Sequence, residues 1–385
     1  MITRGEVSGA LRIAAAQVRR NLPQFTYKCQ NHSSINNFYP PCENEQWTCG
    51  FWPGEIWLAY EYSGDEIFKY AGFIQVESFL KRIENKTAVA HHDMGFLYSP
   101  SCVAAYKLTG NEAARRAALL AADQLIARFQ PVGEFIQAWG ELGAKDNYRY
   151  IIDCLMNLPL LFWASEESGD EKYREIALRH ADTCLKYSIR PDGSTFHTVF
   201  MNPETGAFSR GETCQGYSDD SFWARGQAWA IYGAALCCRY TGDCKYIEIF
   251  KRVLSFFKER LPEDFVPYWD MIFTDGSGEP RDSSSAAIVI CALLEMEKLS
   301  QYDDSTGLNE YASLAKAMLK SLVDNYSVKD PAKSNGLLLH GTYSKKSPYN
   351  TCTPEGVDEC VSWGDYFYME ALMRLEFDCD WEPCW

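Results

Sequence analysis

Ser63-Gly64-Asp65, Thr109-Gly110-Asn111, Ser168-Gly169-Asp170 and Thr241-Gly242-Asp243 are four versions of one short phrase, each set between a helix-like apolar run and a second, amphipathic run. Glycine suits the left-handed position that closes a helix, and the Asp or Asn after it can cap the helix that follows. Each phrase therefore reads as the turn of an αα-hairpin. A fifth, looser version runs from Ala286 through Tyr302-Asp303-Asp304 to Leu322, and Phe367 to Leu375 supplies a sixth apolar helix.

The first helix of a pair is almost wholly apolar, as in Val103 to Tyr106 and Ile231 to Leu236. Its partner is amphipathic: Glu112 to Arg128 keeps Ala, Leu and Ile on one side and Arg115, Arg116, Asp123 and Arg128 on another. An all-round apolar helix is internal and an amphipathic one peripheral. Repeated six times, the pattern predicts an all-α (α/α)6 barrel, an inner ring of helices inside an outer ring. Strand-like stretches are few, Ser194 to Phe200 being the clearest. No Pro/Gly/Ser-rich linker, low-complexity tract or change of composition divides the chain, so residues 1–385 read as a single domain.

Composition narrows the function. Aromatics make up 14% of the residues, with 11 Trp, a surplus that can line a sugar pocket. The formal charge of -15 argues against nucleic-acid binding, which needs basic surface for phosphate contacts. An anionic small substrate stays open, because a pocket's potential is set by nearby groups. No stretch of about 18 apolar residues appears that would make a membrane helix, and Met1 to Gln24 has no signal-peptide core. The 15 cysteines are scattered through apolar runs such as Leu236-Cys237-Cys238, as reduced core residues of a cytoplasmic protein would be.

Two aspartates stand out. Asp93 lies in His91-His92-Asp93-Met94-Gly95-Phe96, and Asp153 interrupts Tyr150-Ile151-Ile152-Asp153-Cys154-Leu155-Met156. Burying a carboxylate costs several kcal/mol unless it is paired or neutralised. A half-buried carboxyl with a raised pKa is also how a protein keeps a general acid near neutral pH. Polar and aromatic clusters of the same kind precede the other inner helices: Trp47 with Trp52-Pro53-Gly54, Asp219 to Trp229, Arg281 to Ser285 and Trp363-Gly364-Asp365. If the inner helices run the same way, all six clusters meet at one mouth, where helix N-termini favour an anionic ligand.

The ordered set His91-His92-Asp93-Met94-Gly95, Asp153, Gln215-Gly216-Tyr217 and Asp220-Ser221-Phe222-Trp223-Ala224-Arg225-Gly226-Gln227-Ala228-Trp229 resembles the unsaturated glucuronyl hydrolases of glycoside hydrolase family 88, a likeness that extends from about Trp47 to Trp363. The resemblance implies an (α/α)6 barrel acting on a polysaccharide-lyase product. That substrate carries a 4-deoxy uronic acid with a C4=C5 double bond at its non-reducing end. The implied reaction hydrates this vinyl ether, so the carboxylate-spacing rule of ordinary glycosidases does not transfer.

By the same resemblance Asp153 is the general acid/base and Asp93 orients the sugar and couples to Asp153. His197 and Gln215 are candidates for contacts around C4, C5 and the carboxylate, and Arg225 for pairing with substrate charge or with a nearby carboxylate. Trp47, Trp139, Trp223 and Trp229 are candidates for stacking on sugar, with His92 and Tyr343 at the margin. Tyr343 to Tyr349 resembles the Ser-x-x-Ser-x-Lys loop by which some members accept sulfated disaccharides. Ser344 and Ser347 match, but the last position is Tyr349, leaving Lys345 or Lys346 as substitutes.

Each residue has a plainer reading. Asp153 and Asp93 are also helix-cap types. Arg225 is alternatively a counter-ion to Asp219 or Asp220, and Asp282 to Ser285 is most economically a cap. His91 reads as structural, and His32, His180 and His340 as surface or core. Trp223 and Trp229, six apart on a helix, do not share one face. No linear His/Cys/Asp set has metal-ligand spacing, so neither metal nor other cofactor is expected. Two rivals remain: an unsaturated rhamnogalacturonyl hydrolase, from which His92-Asp93 tilts away, and a sugar-binding toroid without catalysis.

Overall fold

The computed structural model describes residues 1–300, 308–377 and 381–385. The Tyr302-Asp303-Asp304 stretch of the fifth hairpin lies outside the described residues. Inner helices alternate with outer ones along the chain. The outer set is α1 (Arg4–Phe25), α3 (Glu66–Glu84), α6 (Glu112–Ile126), α8 (Lys172–Ser188), α10 (Cys244–Glu259) and α12 (Leu308–Ser321). The inner set is α2 (Phe51–Ser63), a compound helix of α4 (Met94–Tyr98) and α5 (Ala104–Thr109), α7 (Leu158–Ser168), α9 (Ala224–Thr241), α11 (Ser283–Ser300) and α13 (Ser362–Phe377). A π-helical stretch, Ser99–Val103, joins α4 to α5, and a 3-10 turn, Ile152–Asn157, leads into α7.

The repeated turn phrase does what its chemistry requires. Gly64, Gly110, Gly169 and Gly242 all take φ between 67° and 73°, where a side chain would be strained. Their N–H groups donate to the carbonyls of Tyr60, Tyr106, Ser165 and Cys238. The following Asp65, Asn111 and Asp243 side chains accept from Ile67, Ala114 and Lys245 N–H, and Asp170 accepts from Lys172.

Each inner helix touches the next: α2 the π stretch, α4 the 3-10 turn, that turn α9, α9 α11, α11 α13, and α13 closes on α2. The ring is therefore complete, with α1 as the outer partner of α13. Its inner helices are rich in buried aromatics, Phe51, Trp52, Trp57, Trp229, Trp363 and Phe367 among them.

Strands are short and lie at the mouth. Arg149–Ile151, Thr198–Met201 and Phe208–Glu212 form one antiparallel sheet, with Arg149 opposite Phe200 and Ile151 opposite Thr198. Gly341–Ser344 pairs with Glu355–Glu359. The Ser194 to Phe200 expectation thus lands on the middle strand of the first sheet, shifted toward its C-terminal end. No helix among the described residues is long and apolar enough to cross a membrane. The described cysteines are free thiols, most of them buried.

Candidate active site

The N-terminal ends of the inner helices do converge. A cleft of about 880 Å³, counting the part open to solvent, is lined there by residues from the starts of those helices and from both sheets. Asp93 is the residue just before α4, yet its carboxylate makes no cap hydrogen bond. Asp153 sits in the first turn of the 3-10 segment. What would ordinarily be spent on a helix end is left pointing at the cavity.

The two carboxyls share one environment with a histidine. His92 Nε2 lies 3.3 Å from Asp93 Oδ1 and 3.6 Å from Asp153 Oδ1. His91 Nδ1 lies 2.9 Å from Asp93 Oδ2, and His91 Nε2 is 2.9 Å from the Ala88 carbonyl. Burial pushes the Asp153 carboxyl well above the usual carboxylate range, and the Asp93 charge pushes it the same way, with Arg225 opposing. Burial also works on Asp93, but His92 and His91 overcome it and hold that carboxyl below its ordinary value. Burial lowers His92 to about 4, so its imidazole is neutral at pH 7. The pair is thereby polarised into one proton-carrying acid and one carboxylate.

Backbone links hold the two aspartates in register. Asn157, at the end of the 3-10 segment, accepts from Phe96 N–H at 3.0 Å and donates to the Asp153 carbonyl at 3.4 Å. Gly95 makes this approach possible: a Cβ there would stand 2.3 Å from Asn157 Cα.

The walls are aromatic. Trp47 stacks on Trp363 at 5.4 Å and donates from its indole to the Tyr343 hydroxyl at 3.2 Å. Trp139 leans edge-on against His92 at 5.7 Å, and His197 lies 4.1 Å from Trp223, ring centre to ring centre. His197 Nδ1 accepts from Cys214 and Gln215 backbone N–H groups at 3.0 and 3.2 Å, which assigns its proton to Nε2. Burial lowers His197 to about 3, so it is a neutral donor.

An acid raised by burial beside an ionised carboxylate in a tryptophan-walled cleft is able to give a proton to a bound ligand. A profile described as Glycosyl Hydrolase Family 88 matches residues 21–373. The chain belongs to glycosyl hydrolase family 88. It is 47% identical over 386 residues to an unsaturated chondroitin disaccharide hydrolase of Streptococcus agalactiae serotype III (strain NEM316), covering 100% of this chain and 94% of that one. The crystal structure of an unsaturated glucuronyl hydrolase from Streptococcus agalactiae superposes with a TM-score of 0.94 at 47% identity, covering 100% of this chain and 95% of that one. That of an aspartate-to-asparagine mutant of the Streptococcus agalactiae enzyme, complexed with dGlcA-GalNAc6S, superposes with a TM-score of 0.86 at 43% identity, covering 100% and 94%.

Within this family 88 fold, Trp47, Asp93, Trp139, Asp153, His197, Gln215, Trp223, Arg225, Trp229 and Tyr343 all line the cleft. Trp223 precedes the first turn of α9, so its six-residue spacing from Trp229 does not carry the two rings to opposite sides. Three residues are placed differently. His92 is wholly buried behind the carboxyls instead of at the margin. Ser344 and Ser347 do not line the cleft: Ser344 Oγ donates to the Thr353 carbonyl at 2.6 Å and Ser347 Oγ to that of Tyr217 at 2.5 Å.

The alternative counter-ions for Arg225 are also corrected. Its partner is Asp282, at 3.2 Å with both side chains buried, and not Asp219 or Asp220. Arg225 further donates to the carbonyls of Thr342 and Tyr343 and to the Gln215 side chain. Asp282 is accordingly more than a cap. His91, read as structural, touches the Asp93 carboxylate directly. Finally, His92, Asp93 and Asp153 bring one ligand atom each within 4.8 Å of one another. That set is capable of holding a cation, and no linear spacing reveals it.

Arg149, Ile151, Thr198, Glu212, Thr213, Cys214 and Thr351 also line the family 88 cleft and went unread in the sequence. Arg149 and Ile151 alternate on one strand that ends two residues before Asp153, a period-two signal hidden by the shortness of the strand.

Proposed function

We propose that the chain, acting as one domain over residues 1–385, removes the 4,5-unsaturated uronic acid from the non-reducing end of glycosaminoglycan-type lyase products by hydrating the C4=C5 vinyl ether. The observation that carries this reading is the unequal carboxyl pair: Asp153 raised by burial and by Asp93, at the base of a cleft lined with Trp47, Trp139, Trp223 and Trp229.

The chemistry follows from the protonation states. Asp153 enters with its proton and gives it to C4, leaving positive charge shared between C5 and the ring oxygen. As a carboxylate it then takes a proton from the water that adds at C5. The product is a hemiketal, which opens and releases the aglycone alcohol, and Asp153 ends as it began. Asp93 remains ionised, holds ring hydroxyls as a hydrogen-bond acceptor, and keeps the acid's pKa high. His197 presents an Nε2–H toward the ligand space. Arg225, already paired with Asp282, holds Gln215 and the strand carrying Tyr343 in place more than it supplies free charge.

The test is the loss of the conjugated uronate's ultraviolet absorbance, near 235 nm. Unsaturated chondroitin-type disaccharide should lose it with wild-type protein and keep it with Asp153→Asn, a fall of about 10²–10⁴ in kcat for loss of a general acid. Persistence of the absorbance with wild-type protein, together with measurable binding, would mean a sugar-binding toroid instead.

A further inference from the structure

Cys29, Cys42 and Cys49 bring three thiols together at the start of α2. Cys29 and Cys42 are Cα partners in an antiparallel two-stranded ladder, Cys29–Gln30 against Pro41–Cys42, and Cys49 stands immediately before Gly50, the N-cap of α2. Both ladder thiols reach the Cys49 sulfur: the hydrogen bonds they offer it, together with burial, push the two of them well above the ordinary thiol range. Burial opposes ionisation of Cys49 too, but those hydrogen bonds and the Arg82 charge overcome it and hold Cys49 well below its usual value. Burial instead pushes up Cys102, Cys237, Cys291 and Cys360.

Arg82 is a buried cation without a carboxylate. It forms no ion pair among the described residues and donates only to neutral acceptors, the Asn44 side chain and the carbonyls of Glu45, Gln46 and Ala88. Its Nε is closed off from solvent with no partner. A buried guanidinium is ordinarily given an anion. Two groups are held below their ordinary values with its help: Asp93, already set against two histidines, and Cys49.

The thiols can be reached from solvent, and they are linked to the site. Cys42 is half-buried, and a separate cleft of about 570 Å³, counting the part open to solvent, is lined by Cys29, Glu43 and Arg82. On the other side, Cys49 is two residues from Trp47, which lines the candidate active site. It also adjoins Gly50, where an ideal Cβ would stand 2.2 Å from the Phe96 carbonyl oxygen and 2.5 Å from that of Leu97. Residue 50 is thus packed hard against α4, the helix that begins after Asp93, and a pull on Cys49 is passed to both.

We propose that Cys49 is a redox modification site, oxidised by a peroxide to a reversible disulfide with Cys42 that turns hydrolysis down. The Cys49 thiolate attacks one peroxide oxygen; the O–O bond breaks, hydroxide leaves and Cys49 becomes a sulfenic acid. The Cys42 thiol then attacks that sulfur, the S–O bond breaks, and the oxygen leaves as water with the Cys42 proton. The two sulfurs together lose two electrons and the peroxide gains them. Bridging to Cys42 breaks the contact of Cys49 Sγ with the Glu43 carbonyl at 3.5 Å and draws residue 49 toward the ladder, shifting Trp47 and the start of α2 against α4. The effect on rate rests on the hydration reading above; the disulfide does not.

The experiment treats the reduced full-length protein with hydrogen peroxide, blocks free thiols and weighs the peptides left by proteases specific for aromatic and acidic residues, which separate the three cysteines at Phe38 and Glu43. Hydrolysis of unsaturated chondroitin disaccharide is followed by ultraviolet absorbance before oxidation, after it, and after dithiothreitol. Wild type should show a Cys42–Cys49 cross-link and a fall in kcat/KM of about tenfold or more, the cost of a displaced site wall, restored by dithiothreitol. Cys42→Ser should match reduced wild type before oxidation, and Cys42→Ser and Cys49→Ser should each lack both the cross-link and the reversible loss. No cross-link, or one made through Cys29, overturns the proposal. So does a reversible loss that persists in Cys42→Ser and therefore belongs to the exposed Cys214 or Cys244. A cross-link that leaves the rate unchanged overturns the control of hydrolysis, whereas a protein that forms the cross-link yet is inactive when reduced defeats the hydration reading and leaves the modification site standing.

Discussion

At the scale of single residues, the site is an exercise in making two identical side chains unlike each other. Asp93 is a buried carboxyl and Asp153 a largely buried one, and their neighbours differ: Asp93 has two imidazoles against it at 2.9 and 3.3 Å, whereas Asp153 has His92 at 3.6 Å, the Asp93 charge and the opposing charge of Arg225. The consequence for pH is directional. The proposed hydration needs Asp153 protonated and Asp93 ionised, so kcat/KM should fall as pH rises through the raised Asp153 pKa, and fall again in acid as Asp93 gains a proton. The same raised pKa makes neutral Asp153 a stabilising group at low pH, a contribution lost as pH rises through its folded value. Asp93→Asn removes the charge that raises Asp153. A pH–rate profile of its residual activity should show the alkaline limb moved to lower pH, and an unmoved limb would show that the two groups are not coupled.

At the scale of elements, the relative placement of the two aspartates depends on one close crossing. The α4 segment passes the 3-10 turn so tightly that Gly95 has no room for a methyl group, its ideal Cβ meeting Asn157 backbone at 2.3 to 2.9 Å. Backbone atoms cannot rotate away as a side chain can. Gly95→Ala should therefore push Asp93 from Asp153 and cost about 1–3 kcal/mol from overpacking, with kcat falling more than the thermal midpoint alone would suggest. Activity measured well below the melting transition separates the two effects.

Legibility divides at the same level. The four Gly-Asp/Asn turns and the apolar inner runs were plain in the sequence because they are local patterns, repeated. The π-helical Ser99–Val103 and the 3-10 Ile152–Asn157 were not, since each is a local departure from helical geometry imposed by packing against a neighbour. Apart from the Ser194 to Phe200 stretch, the rim strands escaped for a related reason: three to five residues carry too little alternation to register. Asp93, Asp153, His197 and Gln215 were found through ordered motifs, while Arg149 and Asn157 belong to no motif and are placed by tertiary contacts alone. The engaged hydroxyls of Ser344 and Ser347 show the converse, a motif present in letters whose donors point inward.

At the scale of the whole molecule, the end of the barrel away from the cleft is closed by a buried ionic cluster. Arg374 on α13 meets Glu370 at 3.0 Å and Glu295 of α11 at 2.9 Å, and donates to the Tyr232 hydroxyl of α9 at 2.7 Å. Glu370 in turn accepts from the Tyr232 hydroxyl and from the Trp385 indole. Three consecutive inner helices are thus pinned through one buried guanidinium. Taking two carboxylates out of water is costly unless a cation compensates, and removing that cation leaves Glu370 without one and Glu295 with Arg239 alone, at 3.3 Å. Arg374→Met keeps the volume of the stem and deletes only the charge and its donors. It should lower the stability of the ring by about 3–5 kcal/mol, read as an earlier urea midpoint. A midpoint unchanged by the substitution would mean that the ring is held by its aromatic packing alone. Because the cluster lies at the far ends of the helices that carry Trp223, Asp282 and Trp363, the surviving folded fraction should still hydrate substrate at a near-normal kcat.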